Sequence, residues 1–412
     1  MNIRSLHVQI LIALLLGAMS GVLLGESVLH FAFVGTLFLK GLKMIIVPLI
    51  VTSIVSGVVG IGQVGHFGRL SAQTFTYYLS TSLLSIITGL VLVNAISPGR
   101  GAQLSLQAPP EQLADSIAQF GDGPKAALER LLLDLVPDNV FKAMAEGQIL
   151  PVIVFCFLLG FAIIRLPDPH QKHLRDFFQS AFEAMMQLTH FIIRLAPIGI
   201  FALVAKVVGT TGLSIFVDLG LYALTVLVGL IIHAAITLPL VLYFFGGISP
   251  LSFLRALAPA LLTAFSTSSS SATLPITIES LEQRAGVSNR TTSFVAPLGA
   301  TINMDGTALF ECVAALFIAQ VYGIDLSFTQ QFLVVLTALL ASVGAAGIPM
   351  TGLVMLSIVL SSVGLPLEGI GLILAIDRIL DMFRTTVNVW SDSCGAALIA
   401  RCQGEKLDIT KR

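Results

Sequence analysis

The sequence predicts an all-α membrane protein of eight transmembrane helices and two re-entrant helical hairpins. Three observations point there. Of 412 residues, 56% are hydrophobic and 11% charged. The apolar residues gather into runs long enough to cross a bilayer. Beyond residue 246 those runs are interrupted twice by similar small-residue tips. A mean hydropathy of +0.94 belongs to the membrane class, and a net charge of -1 gives nucleic acid nothing to bind.

Six apolar segments fit before residue 246, at about 8–25, 28–60, 70–96, 147–166, 176–209 and 215–246. A span needs roughly 20 residues, so the longer segments are expected to tilt or bend. The run from Val8 to Leu24 is longer than a secretory signal core and lacks an A-x-A pattern, so it reads as a first membrane helix. Residues 98–148 contain PGRGAQLSLQAPPEQ and read as an exposed loop with a short amphipathic piece, ALERLLLDLV. Arg4 precedes the first helix, Arg165, Lys172 and Arg175 lie between the fourth and fifth, and Arg401, Lys406, Lys411 and Arg412 close the chain. Basic residues favour the cytoplasmic side, which puts both termini inside and the 98–148 loop outside.

The interruptions define the core from 247 to 402. Each unit starts with an apolar arm, LRALAPALLTAF or FLVVLTALLASV, and passes through a tip ending in proline, STSSSSATLP or GAAGIP. It returns along a second arm to a helix with polar residues. Hairpin 1 is expected at about 253–283, helix seven at about 290–322, hairpin 2 at about 328–363, helix eight at about 367–401 and a cytoplasmic tail at 403–412. Close packing through small residues is the plainer account, but two matching tips point instead to a transport site near the bilayer midplane.

Three stretches carry chemistry. In the first tip, Ser266 to Thr273 hold seven hydroxyls in eight residues. Non-helical backbone at membrane depth must be buried in protein or line a wet cavity, and helix ends there offer N–H groups to anions and carbonyls to cations. In GATINMDGT, Asn303, Asp305 and Thr307 are two apart and would diverge on a continuous helix, whereas an unwound turn would converge them. These are oxygen ligands, suited to a hard cation and not to a transition metal.

The third stretch is Asp377, Asp381, Arg384, Asn388 and Asp392, whose spacings of 4, 3, 4 and 4 keep them on one helical stripe. Each ionisable residue at the bilayer centre costs at least about 2.5 kcal/mol, so the stripe faces a site. Three carboxylates against one arginine leave charge for mobile cations to balance. The Arg384 fork suits a substrate carboxylate and Asp381 an ammonium group. A ligand with both groups is an amino acid, and an acidic side chain would partner Arg384. Cys156, Cys312, Cys394 and Cys402 read as packing residues, and the seven histidines show no ligand spacing and receive no role. An intramembrane serine hydrolase would need a base, and the nearest histidine in sequence, His233, lies in an apolar helix. The sequence therefore reads as no enzyme.

Together the serine-rich tip, NMDGT, GAAGIP and DRILDMFRTTVNVWSDS, with VPDNVFKAMAEGQILPVIVF before the fourth helix, resemble the glutamate transporter family, the dicarboxylate/amino acid:cation symporters. The resemblance implies a glutamate-transporter-like elevator fold in a homotrimer, set in a bacterial-type inner membrane. Helices one, two, four and five would form the trimerisation scaffold. Helices three, six, seven and eight and both hairpins would move, with hairpin 2 as the extracellular gate.

The resemblance implies substrate contacts at Ser270, Thr307, Gly352, Asp381, Arg384, Thr385 and Asn388. Arg384 would hold the side-chain carboxylate, Asp381 the α-amino group and Asn388 the α-carboxylate. It implies no cofactor beyond sodium as the coupling ion. One sodium would use Asp392 with backbone oxygens of Gly299, Asn303 and Asn388. A second would lie near Thr301, Ser342, Val343 and Ala345, and a third would use Asn303 and Asp305 with Tyr78, Thr81 and Ser82. Archaeal aspartate transporters of the family carry arginine at the place of Ser268, and animal glutamate transporters carry it at Met382; this chain has neither. Asp381 separates the chain from C4-dicarboxylate members, and Arg384 from neutral amino acid members. The expected activity is sodium-driven symport of glutamate or aspartate. The alternatives are proton coupling, a C4-dicarboxylate substrate, and a channel, which concentrative uptake would exclude.

Overall fold

In the computed structural model the apolar runs fold as helices. The structure describes residues 6–62, 68–100, 133, 136–146, 148–211, 215–343 and 351–407. The helices are α1 (Leu6–Leu24), α2 (Ala32–Gly62), α3 (Gly68–Ile96), α4 (Val140–Glu146), α5 (Ile149–Ile164), α6 (His170–Arg194), α7 (Ala196–Thr211), α8 (Ile215–Ile232), α9 (Leu238–Val241), α10 (Pro250–Thr267), α11 (Ser270–Glu279), α12 (Asn289–Ile302), α13 (Asp305–Val321), α14 (Phe328–Val343), α15 (Thr351–Ser362) and α16 (Ile370–Cys402). Wider π-turns at His233–Thr237 and Leu242–Gly246 flank α9, so α8 continues through both to Gly246. Most of the loop expected at 98–148, including much of its amphipathic piece, and the second tip with Ala345 lie outside the described residues.

The apolar segment expected at 176–209 is two helices, α6 and α7, parted at Leu195. Pro197 explains the break: it has no N–H to continue α6, and its ring clashes with the carbonyl four residues back. The chain turns with Leu195 N on Ile192 O at 2.9 Å and restarts with Gly199 N on Leu195 O at 3.1 Å.

Among the described residues, Ala72–Ile96, Leu219–Gly246 and Asn289–Val321 are long and apolar enough to cross a membrane. Lipid gives apolar side chains little reason to leave it, so helices in a bilayer associate through close packing. Gly17 and Gly21, one turn apart on α1, let α7 approach. A Cβ on Gly17 would lie 2.7 Å from Phe201 O, and one on Gly21 would lie 2.7 Å from Val208 Cβ.

Packing sorts the helices into two groups. α2 lies on α5, α6 and α7, with α1 against α7. α3, α8 and the α10–α11 and α14–α15 hairpin arms gather around α12, α13 and α16. At the centre is α13, where every residue from Asp305 to Ala319 is buried.

Candidate functional site

The first tip is a two-residue turn between antiparallel arms. Ser268, at φ 51° and ψ 38°, ends α10 in the left-handed region, where a non-glycine residue is uncommon. Ser269 is extended and caps α11 by accepting from Ala272 N at 3.2 Å. Thr273 Oγ1 donates to Ser269 O at 2.8 Å, and Thr267 Oγ1 lies 3.4 Å from Thr273 Oγ1. Part of the hydroxyl run therefore serves to partner the polar groups of the turn. Ser270 is buried at the start of α11, and the buried Ser268 hydroxyl has no hydrogen-bond partner.

The helical pattern breaks at Asn303 and Met304, whose extended or irregular backbone separates α12 from α13. The unwound turn expected from GATINMDGT is thus present. Gly306 N, near the start of α13, donates to Asn388 Oδ1 at 2.8 Å, and Asn388 Nδ2 donates to Thr307 Oγ1 at 3.2 Å. A Cβ on Gly306 would lie 2.6 Å from Arg384 O, so glycine sets how closely α13 meets α16.

One end of the α16 stripe is an arginine cluster. Arg384 is 0% exposed, with Cζ 3.8 Å from the centre of the Phe310 ring. Its Nη2 lies 2.9 Å from both Asp377 Oδ1 and Asp381 Oδ1, with an aligned hydrogen bond to Asp381 and an ion pair with Asp377. Arg378 Nη1 lies 3.6 Å from Asp381 Oδ2. Arg384 Nη1 and Nε have no hydrogen-bond partner. Gly352 abuts the guanidinium: a Cβ there would lie 2.8 Å from Nη1. Thr385 is buried beside it in sequence.

The other end is an acid cluster. Asn303 Nδ2 donates to Asp392 Oδ1 at 2.8 Å and to Ser391 Oγ at 3.0 Å, and Asn303 Oδ1 is buried without a partner. Asp305 is 0% exposed. Its Oδ1 accepts from Ser82 Oγ at 2.6 Å and Thr81 Oγ1 at 3.4 Å, and Ser85 Oγ donates to its carbonyl at 2.8 Å. Its Oδ2 accepts from Ser391 Oγ at 2.6 Å and meets His233 Nε2 at 3.0 Å. Gly299 fits between neighbours: a Cβ would lie 2.6 Å from both Asp392 Oδ1 and the Tyr78 hydroxyl.

The structure brings most of the expected residues together, with exceptions. Tyr78 donates to Val295 O at 2.8 Å and not to Asp305. Thr301 is exposed, and its hydroxyl bonds back to Leu298 O at 3.0 Å. Ser342 likewise bonds back to Leu339 O at 2.8 Å, and Val343 ends α14 beside the undescribed tip.

Several site residues carried no expectation. His233, given no role from sequence, sits on Asp305. Ser391 completes that carboxylate's shell, and Ser85 holds the backbone carbonyl of the same residue. Glu311 is 0% exposed with neither carboxylate oxygen hydrogen-bonded. One signal was available for His233 and Glu311: an ionisable residue in an apolar span is a site residue until shown otherwise.

The family model for the sodium:dicarboxylate symporter family matches residues 6–402. Excitatory amino acid transporter 3 of Mus musculus is 37% identical, over 96% of this chain and 85% of its own length. The proton/glutamate-aspartate symporter of Escherichia coli K12 is 37% identical, over 97% of this chain and 93% of its own. Excitatory amino acid transporter 1 of Ambystoma tigrinum is 37% identical, over 92% of this chain and 78% of its own.

Proposed function

The chain belongs to the sodium:dicarboxylate symporter family, whose members are integral membrane transporters and not enzymes, and on that premise we propose that it carries glutamate or aspartate across the membrane together with sodium. The observation that carries this reading is the Arg384 guanidinium. It is fully buried, anchored through Nη2, and keeps two N–H-bearing nitrogens, Nη1 and Nε, without partners. The two lie on different edges of the guanidinium, each edge shared with Nη2, and each can donate a charge-assisted hydrogen bond to a substrate carboxylate.

Asp381 then accepts the substrate ammonium, and Asn388 and Thr307, already joined across α13 and α16, take the α-carboxylate. Ser270 and Gly352 close over the ligand from the two hairpins, with Thr385 beneath. Sodium is cargo, held by oxygen donors as a hard cation prefers. Asp392, the unpartnered Asn303 Oδ1 and the carbonyls of Gly299 and Asn388 offer one set. Asp305, Thr81, Ser82 and Asn303 offer another, with Tyr78 at its edge.

The two packing groups support a division of labour. α1, α2, α5, α6 and α7 act as the fixed scaffold of a homotrimer, and the helices gathered on α13 and α16 move with their cargo. Both termini are cytoplasmic.

Uptake into proteoliposomes tests the proposal. Labelled aspartate or glutamate should accumulate against its gradient when sodium is higher outside, and excess succinate should not compete. Competition by succinate would point to a C4-dicarboxylate carrier, and equilibration without accumulation to a channel. Glu311 favours a second reading, proton coupling, because burying a carboxylate without donors is costly and a bound proton removes the charge. Accumulation driven by a pH gradient in sodium-free medium would select it.

A further inference from the structure

The histidine on α8 is tied into the acid cluster by an unusual local backbone. His233 opens a π-turn, in which Leu238 N bonds to His233 O five residues back. π-turns are rare and recur at functional sites. This one is tied to α16, because Trp390 Nε1 donates to Ala234 O at 3.1 Å. The imidazole is 0% exposed, and its Nε2 lies 3.0 Å from Asp305 Oδ2.

The two oxygens of Asp305 therefore meet different chemistry. Oδ1 faces the hydroxyls of Ser82 and Thr81, which donate to a carboxylate but can turn and present a lone pair to a cation. Oδ2 meets a ring N–H, which cannot serve as a cation ligand, and the Ser391 hydroxyl, itself held by Asn303 Nδ2 at 3.0 Å. We infer that His233 is a positioning residue of the Asp305 cation site. It fixes Oδ2 so that Oδ1 alone turns toward the convertible hydroxyls and the sodium. Without that tie Oδ2 keeps only the rotatable Ser391 hydroxyl, and the carboxylate can turn so that its two oxygens take both the Ser82 and Thr81 hydroxyls. That stabilises the closed arrangement sodium must break.

The inference rests on the sodium reading above, and the test separates the two. Purified full-length protein is titrated with sodium chloride against choline chloride at constant ionic strength, and thermal stabilisation gives the half-saturating sodium concentration. His233→Leu and His233→Phe, the second keeping the ring volume without the N–H, should each raise that concentration by about ten-fold, the worth of one hydrogen bond to a charged group. His233→Gln, which keeps a donor, should stay near wild type. Trp390, the single tryptophan, reports by its emission whether the α8–α16 contact survives. An unchanged or lower half-saturating concentration in both donor-free variants overturns the inference, as does a fall in thermal midpoint with no sodium shift. Wild-type protein that sodium does not stabilise overturns the sodium reading, and this inference with it.

Discussion

Replacing Arg384 by cysteine tests the proposed substrate site most directly. The variant removes the two unpartnered donors, Nη1 and Nε. Hydrogen bonds to charged groups contribute about 1.5–3 kcal/mol each, so losing one or both costs about 1.5–6 kcal/mol, or roughly 10- to 10⁴-fold in affinity for aspartate. The same change strips Asp377 and Asp381 of a partner 2.9 Å away. Removing one member of a buried pair costs about 3–5 kcal/mol, so the single variant is expected to be less stable. Pairing Arg384→Cys with Asp377→Asn removes one uncompensated charge and separates the two effects. The assay is equilibrium binding of labelled aspartate and of serine to monodisperse protein at saturating sodium. Aspartate binding should collapse in both variants while serine binding appears. Aspartate affinity within about three-fold of wild type in well-folded protein would falsify the assignment, because even one hydrogen bond to a charged group is worth more.

Gly352→Ala places a methyl 2.8 Å from Arg384 Nη1, so the guanidinium must shift; aspartate affinity should fall by about ten-fold or more with little change in thermal midpoint, and unchanged affinity would place the ligand elsewhere. Glu311→Gln should leave sodium-driven uptake in place and abolish any uptake driven by a pH gradient; persistence of pH-driven uptake would remove Glu311 from proton movement. Burial raises the pKa of the Glu405 carboxyl, but hydrogen bonds from Thr291 and Ser288 outweigh that and hold it below the usual carboxylate range. Its stabilising contribution should therefore be complete above the ordinary glutamate pKa of about 4.3 and be lost as pH falls through the lower folded value. Thermal midpoints should show this acid-side loss in wild type and not in Glu405→Gln, and parallel pH curves would refute it.

How much was legible in the sequence followed physical range. The α16 stripe was readable because helical spacing alone puts Asp377, Asp381, Arg384, Asn388 and Asp392 on one side. The break at Asn303 and Met304 was readable because residues two apart cannot share a helical face. His233 was not, because its meaning depends on α8 packing beside α13, a contact between residues 72 positions apart. Ser85 and Ser391 were hidden for the same reason, since a serine in an apolar helix most often bonds back to its own turn, as Ser393 does to Val389 O at 2.7 Å. The parting of α6 and α7 was legible in Pro197, yet apolar length concealed it.

The tripeptide Asp305-Gly306-Thr307 supplies a physical basis for coupling between cation and substrate. Asp305 belongs to the acid cluster, Gly306 N is held by Asn388 Oδ1, and Thr307 Oγ1 accepts from Asn388 Nδ2. Asn388 in turn stands four residues from both Arg384 and Asp392 on α16. A cation that draws Asp305 and Asn303 together would therefore act on the first turn of α13, and the same turn holds the Asn388 amide proposed to meet the substrate α-carboxylate. Coupling of this kind needs no contact between sodium and substrate, only one short element whose position both ligands favour. By linkage the effect is reciprocal, so acidic substrate should tighten sodium binding by the factor by which sodium tightens substrate binding. Asn388→Ala leaves both charged clusters in place and removes the bridge. Measured in both directions, the mutual tightening should shrink by equal factors.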